Sequence, residues 1–136
     1  MTLDELKKKV EIDLELTPDN VSQKSLNYSS MYHFYISYYH KSLVKYNKLK
    51  IKRDEVYGKL YHAYKFENKA GGFDVGGTKS EMECYIKSDP DYINIATEFS
   101  QQECLVKYLE LVLDDVKSLS FTLKNYIDFE KMRLGV

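Results

Sequence analysis

Residues 17–69 read TPDNVSQKSLNYSSMYHFYISYYHKSLVKYNKLKIKRDEVYGKLYHAYKFENK, and how far this stretch stays helical decides the fold. It opens on a helix-start signal: Thr17 as hydroxyl cap, Pro18 at the first helical position and Asp19 in the first turn. The next proline is Pro90, and Gly58 is the only glycine before Gly71. The spacing predicts one helix of about 50 residues, roughly 75 Å long at the standard rise. A chain of 136 residues cannot enclose such a helix, so much of it must meet other chains or a ligand.

Apolar positions along this helix keep a heptad. Val21, Tyr28, Tyr32, Tyr35, Tyr39, Tyr46, Leu49, Val56, Leu60 and Ala63 recur at steps of three and four, interrupted by Ser25, Ser42 and Arg53. Met31, Ile36, Tyr38 and Leu43 widen the stripe, so Tyr28 to Tyr39 are assigned to packing. Beyond Lys41 the character changes. Lys41, Lys45, Lys48, Lys50, Lys52, Arg53, Lys59, Lys65 and Lys69 face only Asp54, Glu55 and Glu67, a net charge of about +6. Tyr46, Tyr57, Tyr61, Tyr64 and Phe66 are interleaved with them. Cations that track a phosphate backbone, beside aromatic faces on which bases stack, are the ingredients of single-stranded nucleic-acid binding. The candidate DNA contacts are Lys45, Lys48, Lys52, Arg53, Tyr57, Lys59, Tyr61 and Lys65.

The formal net charge of the whole chain is −1, which leaves about −7 for everything outside the basic stretch. Such segregation suits an anionic ligand on one face. Cys84 and Cys104 fit no metal or disulfide spacing and are expected as reduced, packed thiols. His33, His40 and His62 lack the spacing of a helical metal pair and are expected at the surface. No leader and no apolar run of membrane-spanning length is present, so a soluble, cytoplasmic protein is expected. No Ser/His/Asp or Cys/His arrangement emerges. The expectation is a binding protein, not an enzyme, with no catalytic residues, metal or cofactor.

Working outward, Thr2-Leu3-Asp4-Glu5 is a capping box, followed by Leu3, Leu6 and Val10 on one helical face. At Val10 the pattern turns to period two through Ile12, Leu14 and Leu16, which reads as a short strand with an acidic face. Its candidate partner is Tyr92-Ile93-Asn94-Ile95-Ala96, with both isoleucines pointing one way. Either the two pair, or both are extended connectors. The run 70–78 holds four of the six glycines and reads as a hinge. Gly72 to Lys79 resembles a phosphate-binding loop only superficially, because Thr-Lys replaces Lys-Ser/Thr and no strand precedes it. Residues 80–88 suit a helix capped by Thr78, with Glu81 at N3, or a strand.

In the last third, Ser100 to Glu103 forms a second capping box, with Thr97 as an earlier start. Leu105, Leu109, Val112, Val116, Leu119, Leu123 and Tyr126 follow at steps of four and three, with Val106, Leu113 and Ile127 beside them. So wide an apolar face suits neighbours on both sides, as in a bundle or ring, and the seven are the candidate oligomerisation residues.

These features together resemble the UvsY family of phage recombination mediators. The resemblance rests on Leu3-Asp4-Glu5-Leu6, the long basic helix, the glycine-rich break, Ser80-Glu81-Met82 and Ser88-Asp89-Pro90-Asp91. The most specific stretch is Asp115 to Ile127, close to the family's Ile-Lys-x-x-Gly-Phe-Ala-Ile/Leu-Lys pattern. The resemblance implies a homo-oligomeric ring, a hexamer or heptamer, that binds single-stranded DNA in the host-cell cytoplasm. It also implies help for a RecA-like recombinase in displacing the single-strand-binding protein. The family's Lys-Ala-Arg-Leu-like contact motif falls on Tyr57-Gly58-Lys59-Leu60, where Tyr57 replaces the first cation. Either Tyr57 stacks in place of that charge or the contact moves to Arg53. Ser120 stands where the family usually has glycine.

The fold expected is mainly α: a long helix plus a C-terminal heptad-patterned helix, with one or two short extended segments, assembling as a homo-oligomeric helical ring. One domain would span 1–136, with the basic helix in 1–69, the hinge at 70–78 and an oligomerisation region at 79–136. A rival reading is a non-enzymatic helical scaffold whose basic helix pairs with an acidic protein partner.

Overall fold

The computed structural model describes residues 1–67 and 78–135. They form four helices, α1 (Leu3–Leu14), α2 (Val21–Phe66), α3 (Lys79–Ser88) and α4 (Pro90–Leu134), and no strand is found among the described residues. The expected hinge at 70–77 lies outside them; Thr78 is the N-cap of α3, with its hydroxyl accepting from the Glu81 amide.

The mainly helical architecture holds, and the two alternating segments are corrected. In α1 the capping box of Thr2 and Glu5 forms as expected, but the helix runs on through Leu14. Leu6, Val10 and Leu14, one turn apart, face the core, while Ile12 stays 66% exposed. A four-residue period therefore overrides the two-residue one, because a helix satisfies its own backbone and a lone strand cannot. Ile93 and Ile95 likewise sit on one helix and part company, 47% and 5% exposed.

Helix starts also differ from the sequence signals. Thr17 to Asn20 is a turn: the Asn20 amide donates to the Thr17 carbonyl, and the Thr17 amide donates to Asn20 Oδ1. Pro18 thus occupies the second position of a turn, which favours the same φ as the first position of a helix. The start expected at Thr97 or Ser100 moves back to Pro90. Asp89 ends α3 with its amide on the Ile86 carbonyl and begins α4 with Oδ1 accepting from the Asp91 amide. Its Oδ2 accepts from the Tyr64 hydroxyl at 2.8 Å, so this buried carboxylate fixes the α3–α4 corner against α2.

The chain divides into two compact units, Met1–Lys41 with Leu105–Val136, and Ser42–Cys104. The first unit is centred on Leu6, Val10, Tyr35, Leu109, Val112 and Val116, and a second cluster joins Val21 to Leu119 and Leu123. Each such aliphatic side chain contributes roughly 1.5–3 kcal/mol on burial. The tyrosine stripe supplies packing and polar ties together. Tyr28 donates to the Val116 carbonyl at 2.9 Å, Tyr35 to Asp13 at 2.7 Å and Tyr39 to Glu110 at 3.2 Å. The second unit has one cluster of Leu60, Met82 and Ile86 with Tyr57, Tyr64 and Tyr92. Another holds Leu49, Ile95 and Phe99 with Tyr46. There the buried Gln102 amide donates to the Ser42 carbonyl at 2.8 Å.

The C-terminal stripe expected to hold an oligomer together packs within one chain. Leu109, Val112, Val116, Leu119 and Leu123 are buried inside a single chain, and Leu105 and Tyr126 pack against the same core. Helix α1 and the first half of α2 cover the face that the heptad pattern alone would leave for other subunits. The two thiols are corrected in the other direction: Cys84 and Cys104 are both free and exposed. Each stands midway between buried residues, Met82 and Ile86 or Gln102 and Val106, and so points away from them.

Candidate nucleic-acid interface

The second half of α2 sorts the expected DNA contacts by helical phase. Lys45, Lys48, Lys52 and Lys59 follow one another at steps of three, four and seven, so they share one face, and all four are exposed. The stripe spans about 21 Å of helix axis. Glu55 stands on the same face between Lys52 and Lys59 and is exposed as well.

The other four residues leave that face. Arg53, one residue past Lys52, is turned about 100° toward α4. Its guanidinium lies 4.2 Å from the Phe99 ring centroid and 3.6 Å from Asp54. Tyr57 is half-buried in the second unit's core, edge-on to Tyr92 with centroids 6.1 Å apart. Burial first, and then the charge of Glu83, hold its hydroxyl above the ordinary tyrosine range. Of the family motif's four positions, Leu60 is buried and Lys59 carries the one outward cation. Tyr61 sits about 200° around the helix from Lys59. The Lys65 ammonium donates to its hydroxyl at 3.1 Å and covers its ring at 5.2 Å. The structure thus brings four lysines together and sets Arg53, Tyr57, Tyr61 and Lys65 apart. Part of that phase is legible in the sequence: Lys48 and Lys59 each stand one residue before a buried leucine, Leu49 and Leu60, about 100° around the helix.

A cleft of about 340 Å³ in the first unit, lined by Asp13, Glu15, Asn20 and Lys24 among others, has the wrong charge for a phosphate. Its one lysine already donates to the Ile12 and Asp13 carbonyls at 2.6 and 2.8 Å, closing the end of α1 as a cation should. Among the described residues no helix is long and apolar enough to cross a membrane.

Residues 5–136 match the family model described as recombination, repair and ssDNA binding protein UvsY. The chain belongs to the UvsY family. Three crystal structures of the UvsY recombination mediator of bacteriophage T4 share its fold. Lattice types IV and II each give a TM-score of 0.82, at 15% and 17% identity. Both cover 98% of this chain, and 99% and 98% of the phage T4 chain. Lattice type I gives 0.80 at 18% identity over 95% of this chain and 98% of that one. No curated protein matches the chain in sequence. At these identities the UvsY structures speak for the fold, while the family match carries the recombination, repair and DNA-binding assignment.

Proposed function

We propose that this UvsY-family chain binds single-stranded DNA along Lys45, Lys48, Lys52 and Lys59, and acts as the mediator that loads a RecA-like recombinase onto DNA covered by single-strand-binding protein. The observation that carries the reading is the exposed stripe of four lysines on one face of α2. Point charges on flexible stems follow a phosphate chain without selecting bases, which is what a protein acting on any exposed single strand requires. The same chain in several copies gives each strand several such stripes, and linked sites raise avidity by about 10²–10⁴ over one site. We place the assembly, a hexamer or heptamer, on the outward side of α4. Leu111, Phe121, Phe129 and Met132 remain exposed there, while the opposite side is filled.

An order-of-addition assay tests the mediator step. Single-stranded DNA is first covered with a fluorescent single-strand-binding protein, then given a RecA-like recombinase and ATP. The chain is expected to shorten the lag before displacement, and a variant with all four stripe lysines changed to Gln is expected not to. Equal lags with and without the chain would overturn the loading role while leaving DNA binding untouched.

A further inference from the structure

We propose that Phe66, with the His62 ring beside it, is the surface on which a base of the bound strand stacks, at the distal end of the lysine stripe. This rests on the stripe being the phosphate track. Phe66 lies two helical turns beyond Lys59, on the same face and about 10.5 Å further along the axis. Its side chain is 66% exposed on the last turn of α2. Neither core cluster of the second unit includes it, although Tyr46, Tyr57, Tyr64 and Tyr92 all join them. The other aromatic residues of this half-helix are therefore committed to packing, and Tyr61 is turned to the opposite side.

What does touch the Phe66 ring is polar at its edge. The His62 ring centroid is 5.1 Å away at an interplanar angle of 46°, and the Lys65 ammonium is 5.5 Å from the ring centroid. His62 Nδ1 lies 3.5 Å from Oε1 of Glu67, the residue that follows the end of α2. One aromatic face beside an ammonium and an imidazole, at the end of a line of lysines, complements a ligand with a flat apolar face and an anionic chain on one side. A nucleobase on its phosphodiester backbone has that chemistry, and base–aromatic stacking tolerates any sequence because every base has a π-face.

The chain has no tryptophan, so Phe66→Trp supplies a single fluorescent reporter. Titration with oligothymidylate at low salt is expected to quench its emission. Phe66→Ala and Phe66→Leu are expected to bind oligothymidylate about 5- to 150-fold more weakly, the loss of one stacked base. Their salt slope and thermal midpoint should match the parent's, because the ring carries no charge and joins no core cluster. On an abasic phosphodiester of the same length, parent and variants should bind alike. Parent-like affinity of Phe66→Leu for oligothymidylate, or an equal loss on the abasic strand, overturns the stacking assignment and leaves the ring to a protein partner. A parent that binds neither strand overturns the lysine track itself, a separate and recognisable result.

Discussion

Tyr35 shows how much a single position does. Its ring is fully buried in the first unit, and its hydroxyl donates to Asp13, which also takes the Lys9 ammonium at 2.8 Å. Burial first, then the hydrogen bond and charge of Asp13, push the phenol well above its ordinary value of 10.0. A raised folded-state value means stability is fully present below the unfolded value and is lost as pH climbs past it. Tyr35→Phe should therefore lower stability near neutral pH by about 1.5–3 kcal/mol, the worth of a hydrogen bond to a charged group. It should also flatten the decline above pH 10, and urea titrations at neutral and alkaline pH check both. That Tyr35 would pack was legible from its heptad place. That Asp13 would meet it was not, because a strand reading of residues 10–16 leaves no turn-by-turn geometry to bring the acid round.

At the scale of the element, α2 carries two stripes in different phase, which composition along the sequence merges into one cluster. Arg53 and Tyr57 stand among lysines in sequence, but one residue of helical rotation turns Arg53 onto Phe99, and Tyr57 joins the core cluster with Leu60. Lys52→Ala is accordingly expected to weaken DNA binding and reduce the salt slope by about 0.7 per chain engaged. Arg53→Ala should leave the slope alone and lower the thermal midpoint, through loss of its stacking on Phe99. Salt-dependent anisotropy and a calorimetric scan on both variants separate the two roles. Helix α4 teaches the same lesson about local signals. Ser100 and Thr97 look like caps, but Pro90 after the capping acid Asp89 starts the helix two to three turns earlier, and nothing between them breaks it.

At the scale of the whole molecule, the apolar C-terminal heptad is buried within one chain. A sequence shows that a stripe will be buried, not what will bury it; here Leu6, Val10 and Tyr35 of the same chain do so. Val116→Glu should unfold the first unit, since an unpaired carboxylate would enter a fully buried site at a cost of several kcal/mol. Phe121→Glu, on the exposed side, should keep its helical circular dichroism and give a smaller assembly by native mass spectrometry. The central claim is that four lysines on one face of α2 hold the phosphates of a single strand, and salt tests it most directly. The affinity of the parent for oligothymidylate should fall steeply and linearly in a plot of log affinity against log salt. Changing Lys45, Lys48, Lys52 and Lys59 together to Gln should reduce that slope by about 2.8 per chain engaged, at about 0.7 for each phosphate no longer neutralised. A flat slope for the parent, or an unchanged slope in the fourfold variant, would contradict the account.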